Sequence, residues 1–171
     1  MEISDEALKS IGKILTSRTI KEIMSSPAIT VNVNEDFSRV EEMFVNKNIR
    51  HLPVLEAGQL VGIITQKDLY KMVSPRKVFG QIDFQKDMIV DGEFVYSKEL
   101  LDKYILNHVM RKNPLSLGSE ATIGEAVHIL VSSKISCVPI VDNSKKVIGI
   151  VTRYDILKLV DDIFTQALGT K

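Results

Sequence analysis

One stretch of this chain occurs twice, and that repetition limits the architecture more than any other property of the sequence. Residues Arg50 to Asp68 read as an apolar strand at Leu52–Leu55, a polar turn at Glu56–Gln59, a second apolar strand at Leu60–Ile64, and a helix opening on Thr65 with Asp68 three residues later. Apolar runs of this length, bounded by glycine and polar turn residues, suit strands of a small sheet. The same order returns from Ile135 to Asp155. At an offset of 86, Met24 falls on Met110, Thr30 on Ser116, Val31 on Leu117, Phe37 on Ile123, Phe44 on Leu130 and Pro53 on Pro139. After the turn the offset becomes 87, placing Gly62 on Gly149, Thr65 on Thr152 and Asp68 on Asp155, with one extra residue in the turn from Asp142 to Lys146. Strands, helices and junction residues agreeing in order mark an internal duplication.

Each half is thereby predicted as β-α-β-β-α preceded by a short helix. Residues 4–16 carry Leu8, Ile11, Ile14 and Leu15 at helical spacing, with Ser4 or Asp5 able to cap. A short helix is predicted near Ile20–Met24, a strand over Ala28–Val33, and an amphipathic helix over about Asp36–Lys47. Pro75 stops the helix after Thr65. The chain then divides into an N-terminal helix at 1–18, a first repeat at 19–74, a connector at 75–102, a second repeat at 103–160, and a helical extension and tail at 161–171. Within the connector, Asp91-Gly92 between apolar runs suggests a hairpin at 87–96, against the alternative of an irregular loop. Helix is expected again over Leu100–Met110, and the last helix, with Ile156, Leu159, Val160, Ile163 and Phe164, outruns its counterpart and needs a partner surface.

Composition narrows the functions. The 22 basic and 22 acidic residues cancel, so no global field draws in nucleic acid or an acidic membrane. The single cysteine, Cys137, forms no intramolecular disulfide, and His51, His108 and His128 show no metal-ligand spacing with it. The acidic start of the chain is unlike a signal peptide, and no apolar run approaches a membrane span, which leads to an expected cytoplasmic location. No phosphate-binding glycine loop of the G-x-x-x-x-G-K-[ST] or G-x-G-x-x-G kind is present, and no catalytic set emerges, so the chain is not expected to be an enzyme.

The residues Pro53-Val54 and Pro139-Ile140, the runs Gly62-Ile63-Ile64-Thr65-Gln66-Lys67-Asp68 and Gly149-Ile150-Val151-Thr152-Arg153-Tyr154-Asp155, and the Ile23-Met24 and Val109-Met110 pairs together resemble a tandem pair of CBS domains, the regulatory module named after cystathionine β-synthase. The resemblance covers about 19–74 and 103–160. It implies an α+β fold of two β-α-β-β-α repeats packed sheet to sheet with pseudo-two-fold symmetry. It also implies clefts that bind adenosyl ligands such as AMP, ADP, ATP or S-adenosylmethionine, a homodimer formed through the CBS helices, and control of an effector protein that the sequence does not identify. No cofactor is required in this reading; an adenine nucleotide acts as the regulatory ligand. Membrane and nucleic-acid partners are not expected.

The junction residues admit two chemistries. A carboxylate can accept hydrogen bonds from both hydroxyls of a ribose, each contributing about 1.5–3 kcal/mol when the acceptor is charged. Thr-x-x-Asp is equally a near match to a helix capping box. The resemblance implies that the first site comprises Arg50, His51, Ile63, Thr65 and Asp68 with Ser116 and Leu117 from the opposite half. By the same carry-over the second comprises Ser136, Ile150, Thr152, Arg153 and Asp155 with Thr30 and Val31. Arg50 and His51 stand where relatives often place phosphate-contacting residues; Ser136 and Cys137 stand there in the second half, uncharged. Arg50 also reads as an exposed strand-edge arginine, His51 as a half-buried histidine, and Arg153 and Lys67 as solvated helix surface. The remaining alternative is a scaffold whose apolar helices only drive assembly.

Overall fold

The computed structural model describes residues 5–73, 77–78, 81–82, 89–90, 93–94 and 106–168. These residues fall into two compact units that do not follow the linear order of the repeats. One unit combines Met1–Ala28 with Pro114–Lys171, and the other holds Ile29–Asn113.

In the unit of Ile29–Asn113, the order is β1 (Val31–Asn32), α1 (Phe37–Asn46), β2 (His51–Glu56), β3 (Gln59–Thr65) and α2 (Gln66–Val73). This is the β-α-β-β-α order predicted for the first repeat. β1 runs parallel to β2, with Val31 beside Val54, and β2 is antiparallel to β3 through Ala57-Gly58, both at positive φ. A turn with two positive φ angles matches the twist of the flanking strands and is what a tight hairpin requires. The strand predicted over Ala28–Val33 is only two residues long in regular pairing. A short helix, α3 (Leu106–Val109), leads into β8 (Arg111–Lys112), which closes the sheet as β1-β2-β3-β8. Leu52, Val54 and Ile64 on one sheet face pack with Phe37, Val40, Phe44, Leu69, Leu106 and Met110 into the unit's core.

The other unit repeats the plan with β9 (Leu117–Gly118), α4 (Ile123–Ser132), β10 (Cys137–Val141), β11 (Val147–Thr152) and α5 (Arg153–Leu168). β9 is parallel to β10, with Leu117 beside Ile140, and β10 is antiparallel to β11. The longer turn is built by Asp142, whose Oδ1 accepts the N–H groups of Ser144 at 2.8 Å and Lys146 at 2.9 Å. A 3-10 turn at Ile20–Glu22 precedes Ser25, which bridges to Ile150 in the place that β8 takes in the other unit. Ile20 is fully buried with Ala126, Leu130, Val138, Ile140 and Val151. The N-terminal helix (Asp5–Ser17) lies on α4, where Gly124 has no side chain to collide with the Leu15 carbonyl.

The segments leading into each repeat are therefore built into the sheet of the other one. The cause is packing. Met24 and Met110 align with each other in sequence, yet Met24 lies against Gly149 and Met110 against Gly62, where a bare backbone admits the thioether. Two short antiparallel pairings occupy the connector, Lys77–Val78 (β4) with Gln81–Ile82 (β5), and Ile89–Val90 (β6) with Glu93–Phe94 (β7). The second falls within the hairpin predicted at 87–96; the residues of its turn, and positions 100–105 of the helix predicted over Leu100–Met110, lie outside the described residues. Ser4, proposed as a cap, also lies outside them.

Candidate functional site

The strand-to-helix junctions carry the same arrangement twice. In the Ile29–Asn113 unit, His51 is paired with Thr65 across β2 and β3, and the Arg50 carbonyl accepts the Gln66 N–H at 3.1 Å. In the other, Cys137 is paired with Thr152, and the Ser136 carbonyl accepts the Arg153 N–H at 3.1 Å. These contacts tie the start of one strand to the start of the helix. They set Arg50, His51, Thr65 and Asp68 beside one another, and likewise Ser136, Thr152, Arg153 and Asp155.

Each aspartate is held by its threonine. Asp68 Oδ2 accepts the Thr65 backbone N–H at 2.9 Å and the Thr65 hydroxyl at 2.7 Å. Asp155 Oδ2 accepts the same two donors of Thr152, both at 2.7 Å. The Thr152 hydroxyl in turn accepts the N–H groups of Tyr154 at 3.2 Å and Asp155 at 3.4 Å. The capping role considered from spacing is thus physically present, and it employs one oxygen of each carboxylate. A carboxylate has about four lone-pair sites, so capping and further hydrogen bonding are compatible. The same cap occurs at Thr122 and Glu125, but that acid is exposed, whereas Asp68 is buried to 7% exposure. A charged group is costly to bury unless it is hydrogen-bonded, and short bonds from the Thr65 N–H and hydroxyl are of the kind that offsets the cost.

Strand alternation puts the candidate residues on one sheet face. Leu52, Val54 and Ile64 point into the core, so His51, Pro53, Ile63 and Thr65 lie on the opposite face of β2 and β3. In the other unit Val138, Ile140 and Val151 are core, leaving Cys137, Pro139, Ile150 and Thr152 opposite. Arg50 is exposed, His51 half-buried, and Ile63 buried. Cys137 is buried on the face opposite the core. Arg153, which the resemblance assigns to the second site, donates its Nε to the Ile135 carbonyl at 3.0 Å. Ser116 is exposed and Leu117 half-buried, in the unit that holds Asp155; half-buried Thr30 and buried Val31 belong to the unit that holds Asp68.

Two residues near the junctions escaped the sequence reading. Ser25 directs its hydroxyl to Asp155 Oδ1 over a long 3.5 Å. Arg111 occupies the equivalent place opposite Ile63. The signal was present, since both follow the aligned methionines, but nothing in the chain order showed which repeat they serve.

The family model described as "CBS domain" matches residues 20–75 and 106–162. The chain belongs to the CBS domain family. Among similar solved structures is the CBS domain pair of protein MJ0100 in complex with 5′-methylthioadenosine and S-adenosyl-L-methionine, 26% identical with a TM-score of 0.64 over 84% of this chain and 96% of that one. CBSX2, a CBS-pair protein from Arabidopsis thaliana solved with AMP, shares the fold at 23% identity and a TM-score of 0.65, covering 85% of this chain and 98% of that one. L-aspartate semialdehyde sulfurtransferase of Methanocaldococcus jannaschii is 28% identical over 141 residues, which are 82% of this chain but 23% of that protein. The CBS pair thus spans about a quarter of that enzyme. Among the described residues no helix is long and apolar enough to cross a membrane.

Proposed function

We propose that this CBS pair is a regulatory module that binds adenosine-containing ligands of the AMP, ADP and ATP class and passes their presence to a separate effector protein. The observation that carries the reading is the duplicated junction, in which Asp68 and Asp155 are each positioned by a threonine whose backbone N–H and hydroxyl both donate to Oδ2. An acid so oriented is suited to the adjacent hydroxyls of a ribose. Arg50 and His51, set next to Thr65, suit a phosphate group at the first junction, and Ile63 and Ile150 suit the face of the base. The bound 5′-methylthioadenosine and S-adenosyl-L-methionine of the similar MJ0100 pair support an adenosyl group as the common element, and S-adenosylmethionine is accordingly the alternative within the class.

Ligand binding acts here as a switch and not as a step of turnover. A ligand that binds only the folded form at 100 times its dissociation constant adds about 2.7 kcal/mol of stability. A thermal-shift panel of AMP, ADP, ATP, S-adenosylmethionine and 5′-methylthioadenosine is expected to raise Tm for at least one, with ATP and magnesium recovered intact after incubation. The paired substitution Asp68→Asn and Asp155→Asn is expected to abolish the shift. A flat panel would overturn the reading in favour of a scaffold.

A scaffold role has one observation of its own, which also supports a homodimer. On α5, Ile156, Leu159 and Ile163 are half-buried or buried, but Tyr154, Leu157, Val160 and Phe164 are 73%, 65%, 56% and 61% exposed. These four fall on one side of the helix at near-helical spacing. A second copy of the chain is the occupant that accords with the dimer expected from the sequence.

A further inference from the structure

Arg111 and Ser25 hold equivalent places in the two units and differ in charge. Arg111 stands opposite Ile63 in the pairing of β3 with β8. Ser25 stands opposite Ile150, exchanging two backbone hydrogen bonds of 3.0 Å each. Residues opposed across an antiparallel pair project from the same face, as do residues two apart along a strand. Arg111 therefore shares the face of Ile63 and Thr65, and Ser25 that of Ile150 and Thr152. In the second case the consequence is visible, because the Ser25 hydroxyl reaches Asp155 Oδ1 at 3.5 Å. Arg111 is exposed and takes part in neither of the two ion pairs found among the described residues.

A guanidinium on the sheet face of Ile63 and Thr65, and a hydroxyl within reach of Asp155, favour different ligands. The arginine fork matches phosphate geometry and keeps its charge at all physiological pH values. It offsets the repulsion that a 5′ phosphate would meet from Asp68. Ser25 supplies a donor without charge, and the nearby Arg153 has its Nε committed to the Ile135 carbonyl. We propose that Arg111 is a specificity-determining residue that makes the Asp68 site select adenosine ligands with an anionic 5′ group, while Ser25 fits the Asp155 site to ligands whose 5′ group is uncharged. This rests on the adenosyl-binding reading given above.

The test is calorimetric titration of the full chain with AMP and, separately, with 5′-methylthioadenosine, which keeps the nucleoside and lacks the phosphate. The Asp155→Ala background isolates the Asp68 site. There, Arg111→Ser is expected to weaken AMP about tenfold and to change 5′-methylthioadenosine by less than about twofold, with Arg111→Lys intermediate for AMP. The reciprocal Ser25→Arg, read in an Asp68→Asn background, is expected to tighten AMP at the remaining site. Equal weakening of both compounds, or unchanged AMP affinity in Arg111→Ser, overturns the assignment while leaving the adenosyl reading standing. An unsubstituted chain that binds neither compound overturns both.

Discussion

Met24 and Gly149 touch across 125 residues of sequence: a Cβ on Gly149 would stand 2.6 Å from the Met24 Sδ and 3.1 Å from the Ser25 carbonyl oxygen. The methionine end can swing, but the carbonyl is backbone, and it also accepts the Ile150 N–H. Gly149→Ala is therefore expected to destabilise the fold by about 1–3 kcal/mol, as overpacking does, read as a lower midpoint in urea. Adding Met24→Ala should recover part of the loss. A double-mutant cycle showing strict additivity would contradict direct coupling of the two positions.

Thr65→Val and Thr152→Val each delete a hydroxyl bond to a carboxylate while keeping the backbone N–H bond. Each is expected to cost about 1–3 kcal/mol, with the larger loss at Thr65 because Asp68 is the more buried acid. Ligand affinity should fall alongside, since the acid loses its orientation. Chemical denaturation paired with titration of AMP measures both.

Acid should weaken the protein through Glu125 and Glu22. The Thr122 N–H and hydroxyl hold the Glu125 carboxyl below its ordinary value, and the Arg18 side chain, then the Thr19 N–H, do the same for Glu22. A folded-state pKa below the unfolded one means stabilisation present above the ordinary carboxylate value of 4.5 and lost as pH falls through the lowered values. Glu41 has the opposite sign: partial burial, then Glu42, raises it, so its ionisation opposes folding at neutral pH and that penalty fades on acidification. Glu125→Gln is expected to lower Tm at pH 7 and to flatten its decline in acid. Glu41→Gln should raise Tm at pH 7 and make no difference near pH 3.

The exposed apolar side of α5 gives a prediction independent of ligand. Leu157→Lys with Phe164→Glu should shift native mass spectra towards the monomer and remove any dependence of Tm on protein concentration. An unchanged mass distribution would argue that this side of the helix is not the contact between copies.

Much of this was legible in the chain itself. The apolar runs at Leu52–Leu55 and Leu60–Ile64, the doubled Thr-x-x-Asp and the aligned prolines identified both β-α-β-β-α repeats, because those signals are local. What escaped notice was non-local. Comparing Met24 with Met110 and Gly62 with Gly149 shows that each pair is equivalent, but equivalence does not say which methionine sits on which glycine. Ser25 and Arg111 were overlooked for the same reason. The outer strand Val31–Asn32 was overestimated in length, because two parallel-paired residues leave little periodicity to read.

The exchange of lead-in segments bears on how the protein can be dissected. Residues 19–74 expressed alone would keep Ile20 without the Leu130 and Val138 that enclose it, and would lack Leu106 and Met110, which fill the interior around Phe37 and Leu52. A cut at the boundary of the duplication thus strips a plug from one half and leaves the other half's plug stranded in water. The duplication is a unit of ancestry in this molecule, and the smallest piece able to fold needs chain from both copies.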